Sequence, residues 1–73
     1  MQPISIVLAD AEFLIRVGLK HLLRDTSFEV VGEAENEPEL LDVLREKQPQ
    51  VVILDYNHPQ NFAHATVQKI KSA

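Results

Sequence analysis

The run Val51-Val52-Ile53-Leu54 constrains this chain more than any other feature. Four aliphatic residues, three of them β-branched, with no polar alternation read as a strand covered on both faces, the habit of parallel sheets. Parallel neighbours cannot be joined by a tight turn and need a crossover, most often a helix. The upstream sequence has that form. Ile4 to Leu8 is a second, mostly apolar strand that runs out at Ala9-Asp10, and Phe28 to Ala34 is a weaker one containing Gly32, expected at a sheet edge. Between these two, Phe13 to Arg24 places Ile15, Gly18, Leu19 and Leu22 on one helical stripe. Leu14 and Leu23 lie beside it, and Arg16, Lys20 and Arg24 are expected to face away. Gly18 on that stripe costs about 1 kcal/mol of helix propensity relative to alanine, so it is expected to mark a close approach to a neighbouring backbone.

Asn36 with Glu39 three residues on makes a capping-box pattern ahead of Leu40, Leu41, Val43 and Leu44, and Pro49 closes that helix. Tyr56 to Asn61 reads as a loop, followed by a third helix. The elements are thus strands over about 4–9, 28–34 and 51–55 and helices over about 12–24, 37–47 and 62–72, all within one domain, 1–73. Strands alternating with helices imply right-handed crossovers and an α/β layered fold.

The composition narrows the function classes. With 73 residues the chain can bury only about 60% of its unfolded surface, and with no cysteine neither disulfides nor thiolate zinc sites can supplement the core. Hydrophobic residues at 45% and charged residues at 25% fit a folded domain. The formal net charge is -4 and every charge from Glu29 to Asp42 is acidic, so no nucleic-acid contact is expected from this segment. No apolar run approaches the roughly 20 residues of a membrane span, and Met1-Gln2-Pro3 lacks the positive flank of a signal peptide, so a cytoplasmic location with no membrane contact is expected.

Asp10 and Asp55 each follow an apolar strand, where the carboxyl ends of parallel strands face a common crevice. If the first strand lies between the second and third, the two carboxylates are neighbours, and like charges so placed invite a divalent cation, magnesium by its preference for oxygen and water. Either aspartate could instead cap a turn or helix. His21, His58 and His64 show no metal-ligating spacing among themselves. The acidic residues from Glu33 to Glu39 read as a solvated face near a helix N-terminus.

Ile-Val-Leu-Ala-Asp10, a Leu-Ile-Arg-x-Gly-Leu helix, Val-Val-Gly-Glu-Ala, Val-Val-Ile-Leu-Asp55 and Pro59 together resemble the receiver domain of bacterial two-component response regulators. The wording is closest to regulators carrying a C-terminal helix-turn-helix DNA-binding domain. The resemblance implies a flavodoxin-like three-layer fold, cut short after three strand-helix units, with parallel sheet order 2-1-3. It implies a non-catalytic signalling module whose phosphoacceptor is Asp55, charged by a sensor histidine kinase. It also implies a magnesium site of Asp10, Asp55 and the main-chain carbonyl of Asn57.

This sequence departs from the pattern at several positions. Ala11 stands where a second carboxylate is usual; Glu12, one residue on, is the substitute, though its side chain leaves the backbone in another direction. His58 replaces a methionine, and Gln60-Asn61-Phe62 a glycine-containing loop. The hydroxyl and lysine of the family's fourth and fifth strands have no counterpart in this sequence, so the isolated chain is not expected to switch. An uncovered third-strand edge is expected to drive homodimer formation or higher self-association. The alternative is a degenerate, non-phosphorylated interaction or dimerisation scaffold. A nucleotide-binding or flavodoxin-like enzyme is disfavoured because Ala9-Asp10-Ala11 replaces a glycine-rich phosphate loop.

Overall fold

A computed structural model describes residues 2–55. Strand β1 (Ile4–Ala9), helix α1 (Phe13–Leu22), strand β2 (Phe28–Ala34), helix α2 (Glu37–Lys47) and strand β3 (Val51–Leu54) follow in order. The sheet is parallel with order β2-β1-β3, as the fold-class expectation required. The expected 62–72 helix, Asn57, His58, His64 and the Gln60–Phe62 segment lie outside the described residues.

The aliphatic run of β1 explains its central place. Ile6, Val7, Leu8 and Ala9 are all buried, alternating between the two faces. Val7 and Ala9 pack with Ala34 and Leu40, joined at the margin by Val31, Val43, Leu44, Val52 and Leu54, so this face is the one α2 covers. On the opposite face Ile6 and Leu8 lie level with Val51 and Ile53 of β3. Because the connections run from β1 to β2 and then back past β1 to β3, right-handed crossovers place α1 and α2 on opposite faces.

The β1–β2 ladder slips once. Ile6 pairs with Val30 but Val7 with Gly32, leaving Val31 as the extra residue of a bulge. After it the alternation of β2 is inverted: Gly32, level with Val7, lies under α2, and Glu33, level with Leu8, faces α1.

Helix α2 starts as its sequence indicates. The Asn36 Oδ1 accepts from the Glu39 N–H at 3.1 Å, while the Glu39 Oε1 accepts from the Glu35 N–H at 2.8 Å, one residue before the usual capping-box partner. Pro38 fits the first turn, where its missing N–H costs nothing, and Gln48 ends the helix in the left-handed region at φ 48. Ser5 and Gln50 then clip β1 to the entry of β3: the Ser5 N–H donates to the Gln50 Oε1 and the Gln50 N–H donates to the Ser5 hydroxyl, both at 3.0 Å.

Helix α1 corrects two expectations. Its sheet-facing stripe is Arg16, Leu19, Lys20 and Leu23, about one residue round from the stripe the apolar spacing indicates. Ile15 and Leu22 are 45% and 73% exposed, whereas Arg16 is 5% exposed. The physical reason is charge pairing: Glu33, turned toward α1 by the bulge, draws Arg16 and Lys20 inward. Gly18 is not a point of close approach either, since a Cβ there would meet nothing within 4 Å. The close approach is at Gly32, where an added Cβ would lie 2.6 Å from Cγ1 of Val43.

Candidate functional site

The carboxyl end of the sheet places Asp10 and Asp55 side by side through backbone bonding. Ala9 pairs with Leu54, and the ladder continues one step further, with the Asp55 N–H donating to the Ala9 carbonyl at 3.0 Å. On the other side the Asp10 N–H donates to the Ala34 carbonyl, also at 3.0 Å. The two aspartates therefore leave adjacent strand ends, with Asp10 on the central strand.

Asp10 is 8% exposed. Its Oδ1 accepts from the Glu12 N–H at 2.8 Å, closing an Asx-type turn that leads into α1. This turn is the capping role that the sequence allows for Asp10. Glu12 itself is the N-cap residue of α1, is exposed, and makes no side-chain cap. Ala11, half-buried, brings no oxygen donor from its side chain.

Arg16 is the residue that apolar periodicity misplaces. Its Nη1 donates to the Asp10 carbonyl oxygen at 2.6 Å, its Nε donates to the Glu33 Oε1 at 3.0 Å, and its Nη2 lies 3.6 Å from the Glu35 Oε1. The guanidinium carbon also stands 5.6 Å from the centre of the Phe13 ring. Lys20 completes the cluster, its Nζ donating to the Glu33 Oε2 at 2.8 Å. The Lys20 ammonium, chiefly, and then Arg16 hold the Glu33 carboxyl below its ordinary pKa of 4.5, against an opposing effect of burial. Glu33 is therefore a paired, part-buried carboxylate, which corrects its reading as part of a solvated face. The signal available in the sequence was the Arg-x-x-x-Lys spacing of α1 opposite a strand that ends in Glu33-Ala34 and is followed by Glu35.

Two concavities mark the surface of the described residues, and one of them adjoins these groups. One of roughly 300 Å³ is lined by Phe13, Arg16, Glu33, Ala34, Glu35 and Glu39, beside the end of β2. A larger groove of roughly 680 Å³, lined by Leu41, Leu44, Pro49 and Val52 among others, sits at the entry of β3, at the opposite end of the sheet from the aspartates.

The donor set suits a hard cation in kind, being two adjacent carboxylates, one of them buried and oriented. Among the described residues no group of three or more His, Cys, Asp or Glu side chains is placed to hold a metal, so Glu12 does not complete a trio with Asp10 and Asp55. Among the described residues, a cation here would have the two aspartates as its candidate side-chain ligands. Among the described residues no helix is long and apolar enough to cross a membrane.

The response regulator receiver domain family matches residues 6–73. Among curated proteins, the transcriptional regulatory protein PdtaR of Mycobacterium tuberculosis is 34% identical over 70 residues, covering 96% of this chain and 34% of PdtaR. The chemotaxis protein CheY of Listeria monocytogenes is 33% identical over 57 residues, covering 78% of this chain and 48% of CheY. The virulence-factor transcription regulator BvgA of Bordetella pertussis is 28% identical over 68 residues, covering 93% of this chain and 32% of BvgA. This chain therefore spans about a third to a half of the length of these relatives.

Proposed function

Because this chain belongs to the response regulator receiver domain family, a family of non-catalytic signalling modules, we propose that Asp55 is its phosphoacceptor. The observation that supports this reading is the pairing of strand ends: Asp55 follows β3 directly beside Asp10 on the central strand. In the reaction an Asp55 carboxylate oxygen forms a bond to phosphorus as the bond from phosphorus to a histidine nitrogen of a sensor kinase breaks, the electron pair leaving with the imidazole. Magnesium, when bound, neutralises charge on the transferring group. Asp10, Asp55 and the main-chain carbonyl of Asn57 would hold it in this reading, with Glu12 a doubtful substitute for the carboxylate that Ala11 lacks. In this reading the module works in the cytoplasm and, within a longer protein, serves the regulation of transcription, the role that the names of PdtaR and BvgA give those relatives.

Incubating the full-length protein with a small phosphodonor and magnesium tests this reading by intact mass. One added phosphoryl group is expected, lost in Asp55→Ala and kept in Asp25→Ala. No added mass on the wild-type full-length protein would overturn it.

A second reading is favoured by β3 itself. Among the described strands β3 lies at an edge of the sheet, with Val51 and Ile53 each 37% exposed. Such an edge offers unpaired backbone groups to another copy, giving a homodimer built on strand pairing. This scaffold reading, with Asp55 unphosphorylated, expects sedimentation as a dimer at micromolar concentration and loss of that dimer in Ile53→Lys.

A further inference from the structure

The buried guanidinium of Arg16 is spent on a backbone atom of Asp10, which is not where an ion-pairing arginine ordinarily goes. Its short 2.6 Å contact is with the Asp10 carbonyl, while its partners of opposite charge are Glu33 and Glu35. Asp10 is then held on every side: its N–H by the Ala34 carbonyl, its own carbonyl by Arg16, and its carboxylate by the Glu12 N–H. Fixing both peptide planes that flank a Cα fixes the direction of its Cα–Cβ bond. We infer that Arg16 is a positioning residue, which aims the Asp10 carboxylate at the crevice beside Asp55. This deepens, and in its metal consequence rests on, the receiver reading above.

The rigidity of the fork is what suits arginine to this task. Nε and Nη1 reach β2 and the end of β1 from one plane, and a lysine ammonium, a single point charge, cannot span both. Glu33 is in turn anchored by Lys20, so the guanidinium is gripped at its far end. Where the second carboxylate of the site is replaced by Ala11, a larger share of cation binding falls on Asp10, and its orientation matters correspondingly more.

The test compares Arg16→Lys, Arg16→Met and Lys20→Met by amide hydrogen exchange, followed by a magnesium titration read from the Asp10 and Glu12 amide resonances. The Glu12 amide reports the Asp10 carboxylate directly. Exchange at Glu12 is expected to rise about tenfold in both Arg16 variants, corresponding to loss of one oriented hydrogen bond, and to stay within about twofold in Lys20→Met. Lys20→Met breaks an ion pair to Glu33 without touching Asp10, so it separates positioning from general support of α1. Magnesium affinity should fall about tenfold in Arg16→Lys, which keeps the charge and guards against an unfolded comparison. Unchanged Glu12 exchange in Arg16→Lys would overturn the inference, as would equal acceleration in Lys20→Met. Absence of any magnesium response in the wild type would count against the receiver reading alone, because the exchange comparison is made without metal.

Discussion

Gly18 and Gly32 predict opposite outcomes for the same substitution. At Gly32 a methyl group would intrude to 2.6 Å on Cγ1 of Val43, a β-branched side chain with little rotamer freedom, with Val7 close behind. Gly32→Ala is therefore expected to cost about 1–3 kcal/mol through overpacking between sheet and helix. At Gly18, in the interior of α1, the methyl group meets open space, and Gly18→Ala should stabilise by about 0.5–1 kcal/mol through helix propensity. Urea midpoints of the two variants, moving in opposite directions, check both. The sequence places a glycine on each element but cannot say which has a neighbour. Helix periodicity pointed to Gly18, whereas the contact depends on the phase of β2, which a single bulged residue alters. Arg16 was misplaced for a related reason: apolar spacing has no way to register that an acidic strand end lies opposite.

At the level of elements the two helices are held by different forces. Helix α2 combines a capped start with an apolar face over Val7, Ala9 and Ala34, and these features were legible because each is a local pattern. Asn36→Ala should cost about 1 kcal/mol, measurable as a lower thermal midpoint. Helix α1 contributes Leu19 and Leu23 to the sheet side but depends also on Arg16 and Lys20 meeting Glu33. Because the folded-state pKa of Glu33 lies below its ordinary 4.5, the unfolded chain takes up a proton there first as pH falls. The stability Glu33 contributes is thus complete above pH 4.5 and is lost as pH drops through the lower folded value. A Glu33→Gln variant should accordingly be less stable than wild type at pH 7, with the gap narrowing below pH 4.5, as followed by urea denaturation at both ends of that range.

For the molecule as a whole, two aliphatic runs each ending in an aspartate marked the strands that carry Asp10 and Asp55, while the strand order that makes the two neighbours was implied by the family resemblance. What no local pattern reveals is the distribution of uncovered surface. Phe13, Leu14, Ile15, Val17 and Leu22 of α1 are all exposed, and Leu14 is 78% exposed. Replacing it by lysine should change stability by no more than about 0.5 kcal/mol, since little burial is lost. Equilibrium denaturation checks this, and a fall of several kcal/mol would show that Leu14 is covered in solution. The Leu14→Lys chain should also show less self-association by sedimentation if this face contributes to contact between copies.

The surplus residue at Val31 gives β2 one unit of slack in its length. A one-codon deletion of Val31 would leave Val30 opposite Ile6 and Gly32 opposite Val7, so the sheet could absorb the loss by becoming regular, with Glu33 still turned to Arg16. The same deletion one codon later would bring Val31 under Val43, where only a glycine fits. Two adjacent deletions of equal size, one costing only the marginal core packing of Val31 and one disruptive, are how this strand would register a change in reading length.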